Sequence, residues 1–235
     1  MNFNDYKFHP SSLGLIMTES RVKGDTLGET AKAHLVECYV RHVYGRQKDV
    51  TNAYIEKGLM AEEDSLDLYT LVKDKLFVKN TEYFTNDWLT GTPDIVEPDT
   101  ITDIKTSWDI FTFYAQTVKA IDKKYWWQLQ AYMDLTGANH AKLVYCLVNT
   151  PLKLIEDQKR RLQWTMGVID QDTDEAYIKA CEMVDKNSIY DDIHIEDRYI
   201  ELSIERDDKA IEAAHERIEL CRTILNGWVT KNKTI

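Results

Sequence analysis

The residues of this chain best suited to catalysis are Asp94, Asp103 and Lys105, which lie close together in sequence. The pattern predicts two short strands, Thr92–Val96 and Ile101–Thr106, joined by a proline-containing turn. Because alternate side chains of a strand share a face, Asp103 and Lys105 are expected to point the same way. Closing the hairpin would bring Asp94 beside Asp103, so that two carboxylates and an ammonium group meet in one patch.

A patch of this kind favours a bound divalent cation. Two carboxylates about 4 Å apart repel each other by roughly 4 kcal/mol at an effective dielectric constant of about 20. Aspartate oxygens suit Mg²⁺ or Mn²⁺, which keep several waters and prefer phosphate-bearing substrates. Lys105 could then orient an attacking water or neutralise a phosphate oxygen. The alternative is a polar hairpin with solvated charges, because Asp-x-Lys occurs often by chance.

A third carboxylate, Glu62, is predicted to lie on a helix over residues 51–75. The apolar stripe of that helix consists of Ile55, Leu59, Leu66 and Tyr69. Glu62 falls inside the stripe, whereas Glu63 is rotated off it. A carboxylate that faces the core needs a partner, and a metal ion or Lys105 would serve. The alternative is that Glu62 sits at the edge of the stripe and reaches water.

A helix predicted from Lys124 to Leu135 places Gln128 and Tyr132 on one face, since residues four apart are neighbours on a helix. The pair could steady a lysine, a carboxylate or a scissile phosphate. The alternative is an ordinary surface position for Gln128 and a core position for Tyr132.

Candidates for DNA phosphate contacts are the hydroxyl and basic residues near this site: Ser12, Lys119, Lys123 and Lys124. Ser11 or Ser12 is expected to cap a short helix, and a helix N-terminus that carries a hydroxyl can also hold a phosphate. The residues alone favour capping.

These positions require an α/β (α+β) fold in which helices flank a central mixed β-sheet. Further strands are predicted at residues 76–78, 83–85, 142–149 and 198–204, with 142–149 central and buried and 198–204 at an edge. Further helices are predicted at residues 27–44, 108–120, about 173–185 and 207–227.

The chain has 235 residues and a net charge of −11, which argues against a protein that coats nucleic acid generally. It does not exclude a nuclease whose basic groups line one channel. The four cysteines form no C-x-x-C pair, so a zinc or iron–sulfur cluster is not expected. Neither a membrane span nor a signal peptide is recognisable, and the expected location is the cytoplasm.

Four short motifs occur in one order: Gly58-x-x-x-Glu62, Gly91-Thr-Pro-Asp94, Asp103-x-Lys105 and Gln128-x-x-x-Tyr132. This order resembles the PD-(D/E)xK nuclease superfamily, and more narrowly its RecB-type and lambda-exonuclease-like branch, which includes YqaJ-type viral recombinase exonucleases. The stretch from Ser11 to Gly14 also looks like the phosphate-contacting segment of that branch. The resemblance implies a restriction-endonuclease-like core at residues 10–150, with a C-terminal elaboration at 151–235, in one nuclease domain.

The resemblance also implies roles for the site residues. Asp94, Asp103 and the carbonyl group of Ile104 would bind Mg²⁺ (or Mn²⁺), and Glu62 would complete the acidic site or hold a second ion. Lys105 would position or activate the nucleophilic water. Two further residues, Gln128 and Tyr132, would support the site and the DNA backbone, and Ser12 would contact a phosphate. Asp103 stands where many relatives carry glutamate.

The function expected from the resemblance is a Mg²⁺-dependent deoxyribonuclease. It would digest linear duplex DNA 5′→3′ in phage-type recombination, in the host cytoplasm if the source is viral, and work with a single-strand annealing protein. Homo-oligomers, ring trimers among the lambda-like relatives, are part of the same expectation. The alternatives are a structure- or site-specific endonuclease of the same fold, a catalytically silent DNA- or partner-binding module, and an acidic structural domain.

Overall fold

A four-stranded mixed sheet forms the centre of the protein, whose computed structural model describes residues 2–48 and 52–232. The strands of the described residues are β1 (Phe84–Thr85), β2 (Thr90–Gly91), β3 (Ile95–Glu97), β4 (Thr100–Thr106), β5 (His140–Cys146) and β6 (Tyr199–Glu205). The sheet order is β3-β4-β5-β6, in which β4 and β5 are parallel and both outer pairs are antiparallel. Strands β1 and β2 form a separate antiparallel pair.

Helices cover both faces of this sheet. Those of the described residues are α1 (Pro10–Ile16), α2 (Glu29–Tyr44), α3 (Ala53–Met60), α4 (Glu62–Lys73), α5 (Ile110–Val118), α6 (Lys123–Thr136), α7 (Leu152–Met166), α8 (Glu175–Ser188) and α9 (Asp208–Asn232), with a single 3₁₀ turn at Ile195–Asp197. None of the helices in the described part of the chain is long and apolar enough to cross a membrane. The predicted class, a mixed sheet flanked by helices, is confirmed.

The alternation of side chains along β4 assigns each face of the sheet to a different helix. One face packs on α6 through Ile101, Leu143 and Tyr145, together with Leu129, Tyr132 and Met133 of the helix. The other face packs on α4 through Ile104, Val144 and Cys146, together with Leu68 and Tyr69 of that helix. Asp103 and Lys105 therefore share the α6 face, as the period of two in a strand predicts.

A second core joins α1, α2 and α9, and it lies against α6. The predicted stripe of α9 is buried at every position: Ile211, Ala214, Ile218, Cys221 and Leu225. A Cβ atom on Gly14 of α1 would lie 2.7 Å from the Cα atom of Lys124 in α6. The backbones of α1 and α6 thus approach each other as closely as only glycine allows.

Arg222 of α9 ties the ends of the chain to the loop between β1 and β2. The guanidinium group donates to the carbonyl of Tyr6 at 2.9 Å and to the carbonyl of Asp87, and it forms an ion pair with Glu219 at 2.7 Å. The arginine side chain is buried, where an unpaired charge is costly, so these partners are needed. The loop that leads to Gly91 and Asp94 is held from α9 as well as from the sheet.

The predicted hairpin is confirmed, with strands β3 and β4 in antiparallel register. Its predicted first strand, Thr92–Val96, is wrong in its bounds, because the strand covers Ile95–Glu97 and Asp94 lies just before it. The single helix predicted over residues 51–75 is wrong in one respect: Ala61, with φ −109° and ψ 16°, separates α3 from α4. Thr51 lies outside the described residues. The apolar stripe proposed for the long helix is also wrong in its first half, because Leu59 is 71% exposed. The break lets α3 and α4 bury unrelated faces.

Two further elements differ from the prediction. The structure has no strand at 76–78, a stretch that it describes in full, and the helix α7 was not predicted. Strand β6 and helix α9 both come from the stretch described above as an elaboration, yet β6 completes the sheet and α9 completes a core. The division of the chain at residue 150 stays a prediction.

Candidate active site

Asp103 and Lys105 occupy the middle of β4, a strand favoured by its threonines and isoleucines. Asp103 is 2% exposed, and its Oδ2 atom lies 2.7 Å from the Nζ atom of Lys105. This contact is an ion pair rather than a well-aligned hydrogen bond, since Oδ2 accepts no hydrogen bond of good geometry within the described residues. The predicted pairing of these two residues on one face is confirmed.

Asp94 immediately precedes β3, and the register of the hairpin carries it to Asp103. Ile95 pairs with Thr102, so the next position outward places Asp94 opposite Asp103. The Oδ2 atom of Asp94 accepts a 2.7 Å hydrogen bond from the backbone N–H of Ile104. This bond fixes the carboxylate against β4.

The two aspartates make the site strongly electronegative. Burial, then the charge of Asp103 and, less strongly, that of Glu62 raise the pKa of Asp94 to about 7, against the Ile104 N–H bond and Lys105, which lower it. Burial likewise raises the pKa of Asp103, although Lys105 opposes that shift. Burial alone would lower the pKa of Lys105, but Asp103 and Asp94 outweigh it and raise that pKa above its ordinary value. Lys105 is therefore an ammonium ion at neutral pH.

Helix α6 presents two polar side chains to this cluster. The Nε2 atom of Gln128 donates to Oδ1 of Asp103 at 2.8 Å, which fixes the rotation of the carboxylate. The hydroxyl of Tyr132 donates to the carbonyl of Thr92 at 3.2 Å, next to the Asp94 segment. Both side chains are buried. A surface position for Gln128 is thus excluded, and the predicted face shared by Gln128 and Tyr132 is confirmed.

The segment before Asp94 is held by close packing and by one residue that the sequence did not single out. A Cβ atom on Gly91 would lie 2.8 Å from Cδ of Pro10 and 3.4 Å from Cε1 of Tyr132, so the position excludes any side chain. The backbone N–H of Asn80 donates to the carbonyl of Asp94 at 2.7 Å, and its side chain donates to the carbonyl of Pro93 at 3.1 Å. An asparagine in a loop gives no signal of such a role in the sequence.

Glu62 is the first residue of α4, not a member of an apolar stripe. It is half-buried, and its Oε1 atom forms an ion pair with Nζ of Lys79 at 2.9 Å. The negative charge of Glu62 nevertheless contributes to the raised pKa of Asp94, so Glu62 lies at the edge of the acidic cluster. Lys79 was missed, because a lone lysine in a loop shows no periodicity.

The residues predicted to contact phosphate stay predictions, although the capping role expected for Ser11 or Ser12 is wrong. Ser12 does not cap α1, because His9 is the N-cap residue and the Ser12 hydroxyl donates to the His9 carbonyl at 2.8 Å. The three lysines of the basic cluster, Lys119, Lys123 and Lys124, are exposed.

Tyr125 connects this basic cluster to the acidic one. Its ring lies under two ammonium groups, with Nζ of Lys105 at 5.2 Å from the centroid and Nζ of Lys124 at 5.7 Å. The sequence contains the signal for this residue, since Tyr125 precedes Gln128 by three positions and Tyr132 by seven on one helix face.

The donor set fits a hard divalent cation. Asp103 offers a buried Oδ2 atom without a hydrogen bond, and the pKa of Asp94 is raised to about 7 because that carboxyl is buried and a second carboxylate adjoins it. A cation would relieve that repulsion, and carboxylate oxygens are the ligands that Mg²⁺ prefers. In the described residues, however, no three Asp, Glu, His or Cys side chains stand in metal-binding geometry. The carboxylate of Glu62 is instead paired with Nζ of Lys79 at 2.9 Å, and its predicted role as a ligand stays a prediction.

Two solved nucleases share this architecture. A phage-related exonuclease from Haemophilus somnus 129PT is 27% identical to this chain in sequence. Its crystal structure matches this one with a TM-score of 0.76, over 96% of both chains. The alkaline exonuclease LHK-Exo from Laribacter hongkongensis is 16% identical, with a TM-score of 0.65 over 98% of this chain and 93% of its own. LHK-Exo in complex with dAMP gives a TM-score of 0.64 at 16% identity, over 97% of this chain and 92% of that one.

No protein-family model and no curated protein matches the sequence. The likeness is therefore carried by the three-dimensional structure and by the arrangement of Asp94, Asp103, Lys105 and Gln128. Both agree with the predicted resemblance to PD-(D/E)xK exonucleases, which is confirmed: the chain has the fold of a phage-related exonuclease.

Proposed function

We propose that this protein is a metal-dependent DNA exonuclease that hydrolyses phosphodiester bonds at the ends of linear duplex DNA. The observation that carries the proposal is the group formed by Asp94, Asp103, Lys105 and Gln128, in a fold shared with a phage-related exonuclease at 27% identity. A solvated polar hairpin would not bury Asp103 and supply it with both a lysine and a glutamine.

The residues proposed to hold Mg²⁺ (or Mn²⁺) are Asp94, Asp103 and the carbonyl group of Ile104, with Glu62 as a further ligand. A bound ion of this kind supplies Lewis-acid activation of the phosphate and lowers the pKa of a water. The support from this chain is the crowding of Asp94 and Asp103, which the raised pKa of Asp94 expresses.

The other polar side chains have roles that follow from their contacts. Lys105 remains protonated at neutral pH, so it acts as a fixed positive charge that orients the attacking water and stabilises negative charge in the transition state. Gln128 holds Oδ1 of Asp103 at 2.8 Å and leaves Oδ2 directed towards Lys105. Tyr132 holds the backbone at Thr92 and so keeps Asp94 in place.

DNA would approach over the N-terminus of α6. The ring of Tyr125 joins Lys105 to Lys124, and Lys119 and Lys123 extend the positive charge outwards. These exposed lysines are proposed to contact phosphates, which explains how a chain with a net charge of −11 can bind a polyanion locally.

We extend the proposal to 5′→3′ digestion in phage-type recombination, in cooperation with a single-strand annealing protein. The support is the name of the relative from Haemophilus somnus, a phage-related exonuclease. Assembly into a homo-oligomer belongs to the same extension and is tested separately, by light scattering of the purified protein.

The test of activity compares two substrates under two conditions. Purified protein is incubated with 5′-labelled linear duplex and with covalently closed circular plasmid, each with Mg²⁺ or with EDTA. Stepwise loss of the linear substrate alone, in Mg²⁺ alone, is the expected result. Release of labelled mononucleotide at early times would establish the 5′→3′ direction.

The other outcomes contradict the proposal in separate ways. Cleavage of the circle indicates an endonuclease of the same fold. Digestion that continues in EDTA contradicts metal dependence. Absence of cleavage with Mg²⁺ and Mn²⁺ leaves a DNA- or partner-binding module.

A further inference from the structure

Lys57 is the only buried side chain of α3, a helix whose eight residues are all described. The side chain is 1% exposed, whereas Tyr54, Ile55 and Leu59 of the same helix face solvent. An amphipathic helix normally docks through apolar residues. At the surface, Tyr54 contacts the ring of Trp108 at 4.5 Å and Glu56 pairs with Lys153, but the residue that α3 buries is a lysine.

The ammonium group of Lys57 lies in a cage with one hydrogen-bond acceptor. Nζ donates to the carbonyl of Trp108 at 2.7 Å, and it lies 5.9 Å from the ring of Trp108 and 5.8 Å from the ring of Tyr190. Burial lowers the pKa of Lys57 to about 8, and the nearby charge of Asp109 opposes that shift only partly. Burying a cation with one acceptor is unfavourable, so packing alone does not account for a lysine at this position.

The position of Lys57 in the chain connects the two segments that carry the candidate active site. Its own carbonyl accepts a 2.9 Å hydrogen bond from the N–H of Ala61, the residue before Glu62. Its Nζ atom holds Trp108, three residues beyond Lys105 at the end of β4. The side chain thus links the segment that bears Glu62 to the strand that bears Asp103 and Lys105.

We propose that Lys57 is a positioning residue of the nuclease site, which sets the place of Glu62 relative to Asp103 through its hydrogen bond to Trp108. This inference rests on the proposed function and adds a residue to it. Lys57 touches neither the substrate nor the acidic cluster, and its effect is transmitted through Ala61 on one side and through the end of β4 on the other.

The proposal predicts that stability and activity respond in opposite directions. Replacing a buried charge by an apolar side chain of similar size is often neutral or stabilising. Lys57→Met is therefore expected to keep or raise the melting temperature at pH 7. Its kcat is expected to fall about 10- to 100-fold, because small displacements of a reacting group are costly. A merely structural lysine would show a lower melting temperature together with lower activity.

The decisive experiment measures Mg²⁺ binding by titration calorimetry on the intact protein, besides kcat and KM on linear duplex. Lys57→Met is expected to bind Mg²⁺ roughly tenfold more weakly, as variants of residues behind a metal site do, with little change in KM for DNA. Lys57→Gln and Lys57→Arg, which keep a donor for the Trp108 carbonyl, should recover part of the loss. The control is Lys159→Met, which removes a partly buried lysine that is paired with Asp185 on the α7–α8 hairpin.

The possible failures are distinguishable. If the wild type cleaves DNA, and Lys57→Met cleaves it and binds Mg²⁺ equally well, the positioning role is wrong while the nuclease stands. If the wild type does not cleave DNA, the proposed function is wrong. The calorimetric affinity for Mg²⁺ then tests by itself whether Lys57 positions the acidic residues. If Lys57→Met does not fold, Lys57→Leu, which also removes the donor to Trp108, takes its place: weaker Mg²⁺ binding supports the role, and unchanged binding overturns it.

Discussion

Lys105 interacts with an acid on its own strand and an aromatic ring on the neighbouring helix, and both contacts favour the charged form of its amine. A lysine whose pKa is raised is a poor proton acceptor at neutral pH. The chemistry available to Lys105 is consequently electrostatic. It can orient a water and balance the negative charge that develops on the phosphate.

Replacement of this lysine is the most direct test of the site. Lys105→Ala is expected to reduce kcat about 10²- to 10³-fold, the loss typical of one group that stabilises transition-state charge. Initial rates on linear duplex in Mg²⁺ measure it, and the melting temperature shows whether the fold is retained. The matched control is Lys142→Ala on strand β5, whose ammonium group pairs with Glu201 at 3.4 Å. Full activity of Lys105→Ala would contradict the site assignment.

The raised pKa of Asp94 predicts a pH dependence with a definite sign. A carboxyl group that holds its proton up to about pH 7 in the folded state but only to about pH 4 when unfolded stabilises the folded state at low pH. The free energy of unfolding in EDTA should therefore fall as the pH rises from about 4 to 7. Urea titrations of the wild type and of Asp94→Asn measure it, and the variant should lose this component.

The protonation state of Asp94 is also expected to govern the affinity of the site for Mg²⁺. Since a carboxylate must lose its proton to act as a ligand, Mg²⁺ should bind more tightly as the pH rises through about 7, the pKa of Asp94. Calorimetric titrations at pH 6 and pH 8 test this, because equal affinities at the two values would show that Asp94 is not a ligand.

Among the individual site residues, those on helices and strands could be predicted from the sequence, whereas those in loops could not. Asp103 and Lys105 follow from the period of a strand, and Gln128 follows from the period of a helix. Lys79 and Asn80 come from the irregular stretch between α4 and β1, where no spacing relates them to Glu62 or Asp94. Their contacts depend on tertiary packing alone.

At the scale of elements, Gly91 shows how α1 and α6 together determine the site. Gly91→Ala would place a methyl group 2.8 Å from Cδ of Pro10, so α1 or the segment before Asp94 must move. The expected loss of stability is about 1–3 kcal/mol, typical of overpacking, accompanied by a loss of nuclease activity. Thermal melts and initial rates measure the two effects.

Gly227 of α9 is the control for this substitution. A Cβ atom there would have no neighbour within 4 Å, so Gly227→Ala should stabilise the helix by about 0.5–1 kcal/mol. Activity should not change. Equal behaviour of the two alanine variants would contradict the close approach at Gly91.

The elements that sequence reasoning located best are those with one continuous buried stripe, such as α9 and β5. The hydrophobic pattern did not reveal the break between α3 and α4, because α3 buries a lysine whereas α4 buries Leu68 and Tyr69. A hydrophobic pattern cannot reveal a helix that docks through a charged residue. Helix α7 was missed for a related reason, since it buries only Leu154 and Ile155 near its N-terminus.

For the whole molecule, binding of a divalent ion should be coupled to global stability. A ligand that binds only the folded state stabilises it by about 2.7 kcal/mol at a hundred times its dissociation constant. Mg²⁺ should therefore raise the melting temperature of the wild type, and EDTA should reverse the shift. The variant Asp94→Asn/Asp103→Asn should show no such shift, and an equal response would place the ion elsewhere.

The hydrogen bonds of Arg222 have a consequence for the folding kinetics of the protein. Its two carbonyl acceptors lie 216 and 135 residues away along the sequence, and contacts of such long range form slowly. We therefore expect the loop preceding Asp94 to be secured late in folding, after local helices and hairpins have formed. Until Arg222 captures this loop, a collapsed chain would lack the placement of Asp94 on which the proposed activity depends.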